Sequence, residues 1–156
     1  MRISARADYA VRAAVFLART AQGGGDERVA GERIAAEEGI PPTFLEGILS
    51  ALRKADIVDS RRGAGGGYRL AAPAAEISVA DVIRAVDGPL VFVRGERPSE
   101  LEYPVADAHL VTLWVALRAS VRSVLDETSL EALATGSLPP QVRALADDPS
   151  SWVSGP

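Results

Sequence analysis

The chain has 156 residues, 47% of them hydrophobic but only 5% aromatic, and a net charge of −4, which suits one compact domain with a modest appendage and an aliphatic core. It has no cysteine and one histidine, His109, which excludes disulfides, thiolate nucleophiles and cysteine-held zinc or iron–sulphur groups. With no run of 18 apolar residues and no secretory signal pattern, we expect a cytoplasmic protein without a membrane segment, enzyme activity, cofactor or metal.

Three helices are predicted in the first third of the chain. Ser4 is a suitable N-cap for a helix over residues 5–20, which a run of three glycines follows. A second helix fits residues 31–38, with Gly39 as its C-terminal stop. Two prolines then open a third helix over residues 43–55. The second and third helices meet across a short turn, as a helix-turn-helix requires.

A β-hairpin with a basic tip is predicted next. Residues 58–60 and 68–70 resemble short strands, and residues 61–67 between them hold two arginines and four glycines. The tip lacks the spacing of a phosphate-binding nucleotide loop, although an ordinary flexible turn remains an alternative. Residues 1–72 hold 11 Arg or Lys against 9 Asp or Glu, whereas residues 73–156 hold 6 against 12. This asymmetry indicates a basic working surface in the first half.

The second half begins with one further short helix. Residues 77–86 fit it, with Ser78 as N-cap and Asp81 completing an approximate capping box. Residues 90–106 are irregular in pattern and rich in scattered charges. We expect this segment to connect a first domain, residues 1–89, which holds the helix-turn-helix and the hairpin, to the helices that follow.

The longest predicted helix, residues 107–127, carries a regular apolar seam. Its members step by 4, 3, 4 and 3 residues, the spacing of a coiled coil over two heptads. They are Leu110, Trp114, Leu117, Val121 and Val124. We interpret the seam as a homodimer interface, with a core helix covering its own domain as the alternative. A short helix over residues 128–134 completes this unit, and we expect the tail, residues 135–156, to be partly disordered.

The helix-turn-helix and the hairpin together indicate binding to double-stranded DNA. Thr43 and Glu46 lie one turn apart near the start of the third helix, where base contacts are made in the major groove, and Glu46 is suited to a cytosine amino group. Arg61 and Arg62 suit the narrow minor groove of A·T-rich DNA. A trihelical packing module with a solvated polar face is the alternative. The expected DNA-contacting residues are Arg2, Ser4, Pro42, Thr43, Glu46, Ser50, Arg53, Arg61, Arg62 and Tyr68.

The stretch IAAEEGIPPTFLEGILSALRKADIVDSRRGAGGGYRLA, residues 34–71, resembles the Rrf2 family of bacterial winged helix-turn-helix regulators. The opening MRIS with Tyr9, Ala10 and Arg12 is similar to that family's first helix, and residues 113–133 resemble its dimerisation helix and short terminal helix. The resemblance implies a mainly α fold with a small β-hairpin wing and a long dimerisation helix. It further implies a homodimeric transcriptional regulator, usually a repressor, that binds an inverted-repeat operator.

The sequence departs from the cluster-binding members of that family. Those members carry cysteines in the segment matching residues 91–108, and this chain has none. Some relatives recruit a carboxylate and a histidine from the first helix, where this chain has Asp8 and Arg12, and Arg12 cannot be a ligand. The sensor-type segment, residues 90–106, is thus open to a small-molecule effector, a partner protein or a bracing role. Candidate effector residues are Phe92, Arg94, Tyr103 and His109. An interaction or sensor module with weak or lost DNA binding is the alternative function.

Overall fold

The computed structural model describes residues 2–24 and 27–153. Over these residues the chain is mainly helical with one two-stranded antiparallel hairpin, as predicted. The helices and strands in chain order are α1 (Ala5–Ala21), α2 (Gly31–Glu38), α3 (Pro42–Lys54), β1 (Val58–Arg61), β2 (Gly67–Leu70), α4 (Val79–Asp87), α5 (His109–Leu125), α6 (Leu130–Thr135) and α7 (Pro140–Asp147).

The helix ends form where the sequence places capping residues. The Ser4 hydroxyl accepts a hydrogen bond of 2.9 Å from the Ala7 amide at the start of α1. Ser78 and Asp81 form both halves of a capping box at the start of α4. Gly39 ends α2 with a φ of 61°, a left-handed conformation that costs a glycine little. These predicted caps are therefore confirmed.

The core is built around α1, which packs against α3, α4, α6 and β2. Ala10, Ala13 and Ala14 of α1 are completely buried, and their small side chains let the neighbouring helices approach closely. Larger aliphatic residues from α2 and α3, among them Ile34 and Ile48, complete the interior. Each such side chain stabilises the fold by about 1.5–3 kcal/mol.

Helix α6 belongs to this core and does not extend the dimerisation unit predicted for residues 107–134. Leu130 is completely buried in the main hydrophobic cluster. Backbone hydrogen bonds of 2.8 Å from Val79 to Thr128 and of 2.9 Å from Leu130 to Ile77 join its start to α4. The chain thus returns from α5 to the core built around α1, where Leu130 is buried among apolar side chains.

The tail differs from the expected disorder. Pro140 occupies the first turn of α7, a position that tolerates proline because its amide needs no helical partner. A 3₁₀ turn at Pro149–Trp152 follows, and the Trp152 indole donates a hydrogen bond of 2.5 Å to the Ala146 carbonyl. The described part of the tail, residues 135–153, is therefore mostly helical.

Helix α5 is apolar yet exposed. The stretch Val105–Leu125 has 21 residues and a mean hydropathy of 1.2, so its length and composition alone would allow it to cross a membrane. Polar and charged residues interrupt the stretch, which is why the sequence shows no unbroken run of 18 apolar residues. No residue of α5 is buried, and Leu113 and Leu117 are 53% and 38% exposed. The helix therefore presents an apolar surface that its own chain leaves uncovered.

Candidate nucleic-acid interface

A groove of about 550 Å³ lies between α2, α3 and the wing, by which we mean the hairpin β1–β2 with its tip, residues 61–67. Four of the predicted DNA-contacting residues line it: Pro42 and Glu46 from α3, and Arg61 and Tyr68 from the wing. The structure thus brings the start of α3 and the tip of the wing to one surface.

Helix α3 presents a polar face beside this groove. Its apolar residues Leu45, Ile48, Leu49 and Leu52 are buried in the core. Thr43, Glu46 and Arg53 are exposed and Ser50 is half-buried. The apolar face of α3 therefore packs into the core, except that Phe44 is 52% exposed, and the side chains suited to base edges point away from the core.

A short backbone ladder holds the wing against the helices. Val29 and Tyr68 exchange two hydrogen bonds of 2.8 Å between their amides and carbonyls, so the segment before α2 adds a third strand-like element to the hairpin. The Tyr68 ring lies against α2, where a Cβ on Gly31 would be 3.7 Å from it. Tyr68 therefore sets the distance between wing and helices as well as lining the groove.

An ion-pair network stabilises the base of the wing. Asp59 of β1 binds Arg28 at 2.8 Å and Arg69 at 3.1 Å, and Asp59 and Arg69 face each other in the strand register. The hydrogen bond from Arg28 holds the pKa of the Asp59 carboxyl below its ordinary value. These two arginines thus neutralise a carboxylate within the hairpin.

The two arginines at the tip are differently placed. Arg61 and Arg62 are exposed, and no ion pair involving either is found in the described part of the chain. Their guanidinium groups are available for phosphate oxygens or for a narrow minor groove.

Arg2 and Ser4, which were predicted to contact DNA, do not line this groove. The Ser4 hydroxyl accepts from Ala7 and donates to the Asp87 carboxylate, so its hydrogen bonds are already used. Arg2 lines a different cavity with Asp87 and residues of α5. The nearby Asp87 carboxylate opposes a phosphate at this end of α1, and contact of Arg2 and Ser4 with DNA stays a prediction.

The candidate effector residues come together only in part. Arg94 lies 5.1 Å over the Tyr103 ring, and the Trp114 indole donates a hydrogen bond of 3.2 Å to the Tyr103 hydroxyl. Phe92 is 42% exposed, and His109 is exposed at the first position of α5. Arg94, Tyr103 and Trp114 thus form a stack at the surface, and no contact joins Phe92 or His109 to it among the described residues.

Several groove residues were missed from the sequence, namely Gly31, Glu32, Leu49, Gly66 and Gly67. Gly66 and Gly67 belong to the glycine-rich tip, where glycine would allow close approach of a phosphate. A Cβ on Gly66 would instead lie 2.4 Å from the Arg61 carbonyl oxygen. Gly66 is therefore required by close packing inside the tip, whereas Gly63 and Gly65 have nothing within 4 Å of an added Cβ.

Comparison with known proteins agrees with this geometry. A family model described as "Rrf2: Iron-dependent Transcriptional regulator" matches residues 3–136. Rv1287 of Mycobacterium tuberculosis (strain ATCC 25618 / H37Rv), which carries the name of an HTH-type transcriptional regulator, is 51% identical over 148 residues, covering 95% of this chain and 90% of the relative. The HTH-type transcriptional regulator CymR of Bacillus subtilis (strain 168) is 33% identical over 138 residues, covering 86% of this chain and 91% of its own.

Solved structures show the same fold. The structure of B. subtilis CymR, called the global cysteine regulator, aligns with a TM-score of 0.69 and 33% identity over 87% of this chain and 98% of its own. The structure of T. potens IscR aligns with a TM-score of 0.63 and 28% identity over 99% of this chain and 94% of its own.

Proposed function

The chain belongs to the Rrf2 family of transcriptional regulators, and from this premise we propose that it is a sequence-specific DNA-binding repressor that acts in the cytoplasm as a homodimer without an iron–sulphur cluster. The observation that carries the proposal is the groove, where the polar face of α3 and the tip of the wing meet at one surface.

The proposed docking places α3 in the major groove and the wing tip in the adjacent minor groove. Thr43 and Glu46 are exposed in the first turns of α3, where a recognition helix contacts base edges. Glu46 would accept a hydrogen bond from a cytosine amino group. Arg61 and Arg62 would supply the electrostatic contact, and Arg53 a phosphate contact.

We propose that the seam of α5 is covered by a second copy of the chain. Leu117 is 38% exposed, and the other four seam residues are half-buried in the single chain. A membrane is a poorer occupant, because Arg118 and Arg122 lie within the same stretch and each would cost about 2.5–3.5 kcal/mol at the bilayer centre. Pairing two copies would set two recognition helices side by side, and the operator would be an inverted repeat.

The residues present do not fit an iron–sulphur cluster. The chain has no thiol, and its described residues contain no group of three or more His, Asp or Glu side chains placed to hold a metal ion. The word "iron-dependent" in the family description thus has no ligand set here that would support it, and any signal must be read by other groups.

The experiment that tests the function is selection of bound fragments from sheared genomic DNA, with the purified protein as bait. We expect enrichment of an inverted repeat whose half-site centres are separated by about 10 base pairs or a multiple of that distance. A protein that enriches no sequence over bulk DNA at about 0.15 M salt would contradict the proposal and favour an interaction module.

A further inference from the structure

Four arginines surround a second cavity, which we call the arginine cavity. It has a volume of about 260 Å³ and lies beside the loop Gly88–Pro89–Leu90. Arg84 comes from α4, Arg97 from the segment before α5, and Arg118 and Arg122 from α5. It is separate from the groove between α3 and the wing.

One carboxylate, that of the partly buried Asp126, orients two of these arginines. Asp126 accepts a hydrogen bond of 2.6 Å from Arg84 and one of 2.8 Å from Arg122. Although partial burial of Asp126 opposes ionisation, these two hydrogen bonds hold the pKa of its carboxyl below the ordinary value. Because a guanidinium has five N–H donors, each arginine keeps donors for a ligand.

The remaining charges are incompletely balanced. Arg84 also pairs with Asp81 at 3.3 Å and Arg97 with Glu100 at 3.6 Å, whereas no ion pair of Arg118 is found in the described part of the chain. Arg118 and Arg122 are four residues apart on α5, so their like charges repel. No carboxylate side chain is among the described residues that line the cavity. An anion bound there would relieve this repulsion and meet several preoriented donors at once.

We propose that the arginine cavity binds a small metabolite with at least two negative charges on phosphate or carboxylate oxygens, and that this metabolite is the effector of the regulator. The effector role rests on the proposed function, but the site itself does not. The cavity joins α4 of the DNA-binding domain, the segment 90–106 and the proposed dimerisation helix. An anion bridging Arg84 and Arg118 would therefore fix the angle between the reading domain and α5.

The site is tested by isothermal titration of the DNA-free protein with two probes, inorganic phosphate and succinate, each at constant ionic strength adjusted with sodium chloride. We expect saturable binding of at least one probe. Tighter binding of phosphate would identify a phosphorylated ligand, and tighter binding of succinate a dicarboxylate. Arg118→Gln should weaken binding about tenfold, the effect of one charge-assisted hydrogen bond. Arg143→Gln removes the same charge from exposed α7 and should leave binding unchanged.

Two results would overturn the site: no saturable heat with either probe, or equal binding by the Arg118→Gln and Arg143→Gln variants. DNA affinity is then measured with and without the bound probe. Binding of the probe with no change in affinity for an enriched operator would overturn the effector role alone. Failure to enrich any operator would overturn the proposed function and leave the titration result standing.

Discussion

Gly67 of the wing lies so close to Val29 that a Cβ at position 67 would be 2.5 Å from the Val29 carbonyl oxygen. Its φ of 130° is also one that residues with an L side chain rarely adopt. The contact is between two backbones, which are held together by the two hydrogen bonds of Val29 and Tyr68. No flexible side chain is therefore available to absorb an added methyl group.

Gly67→Ala should lower the free energy of unfolding by about 1–3 kcal/mol, because it strains the backbone and displaces the wing. Gly47→Ala is the matched control: this glycine lies inside α3 with nothing within 4 Å of its added Cβ, and alanine should stabilise the helix by about 0.5–1 kcal/mol. Urea unfolding followed by circular dichroism measures both. Equal effects of the two changes would show that the wing does not pack on Val29 in solution.

Replacing both Arg61 and Arg62 with Ala should weaken DNA binding and flatten its dependence on salt. A dimer would lose four contacts to the duplex, so the slope of log K against log salt should become shallower by about 3–4. The slope is measured by fluorescence anisotropy of labelled operator DNA at salt concentrations from about 50 to about 300 mM. Arg143→Ala is the control outside the groove. An unchanged slope for the double variant would show that the tip does not contact DNA.

Glu46→Ala should change which operators are preferred more than how tightly DNA is held. A single base contact is worth about 1–3 kcal/mol of discrimination, and it should be lost at one base pair of each half-site. Selection from a randomised operator library gives the preference directly. Glu37→Ala, on the exposed surface of α2, serves for comparison. If Glu46→Ala shifts affinity uniformly across the library, Glu46 does not read a base.

Leu117→Arg should convert the dimer to a monomer, because a charge would then face the partner's apolar seam. Trp114→Arg should act in the same direction, although it also removes the hydrogen bond to Tyr103. Ala119→Arg places the same charge on the opposite side of α5 and should leave the mass unchanged. Sedimentation velocity distinguishes the outcomes. A dimeric Leu117→Arg protein would place the interface on another surface.

Acid should destabilise the protein through Asp59 and Asp126. The folded state lowers the pKa of both carboxyls, through hydrogen bonds from Arg28 to Asp59 and from Arg84 and Arg122 to Asp126. Both residues therefore contribute stability above the pKa of the unfolded chain, about 3.9, and this contribution is lost as the pH falls through the lowered values. Unfolding by urea between pH 7 and pH 2.5 should show this loss at the acid end.

The Asp59→Asn and Asp126→Asn double variant provides the control for the acid prediction. It should be less stable at pH 7, and the difference from the parent protein should shrink toward the acid end of the series. If the difference between the two proteins stays constant with pH, the two carboxyls do not account for the acid response.

The local elements of this fold follow from the sequence because their signals are local. Ser4, Ser78 and Gly39 mark helix ends through the chemistry of their own side chains and backbones, and the glycine-rich tip marks the hairpin. The position of α6 was not predictable in this way, since Leu130 lies in a core assembled from α1 and other distant segments. The tail was expected to be partly disordered. Its Pro140 and Pro149 instead stand in the first turns of helical segments, where proline is tolerated.

The candidate site was likewise predictable in its local features and not in its tertiary contacts. The polar face of α3 and the exposed tip arginines follow from helical period and composition. The neighbours that define the groove do not, because Tyr68 meets Val29 and Gly31 only through tertiary pairing. The arginine cavity was missed because its four members come from three segments and share no sequence motif.

The uncovered surface of α5 has a consequence for handling the protein. If the apolar surface of α5 is buried only against a second copy of the chain, folding and association are one equilibrium. The midpoint of thermal unfolding should then rise with protein concentration. A dilute sample would then lose native structure at temperatures that a concentrated one tolerates, so melting curves recorded at different concentrations are not comparable with one another.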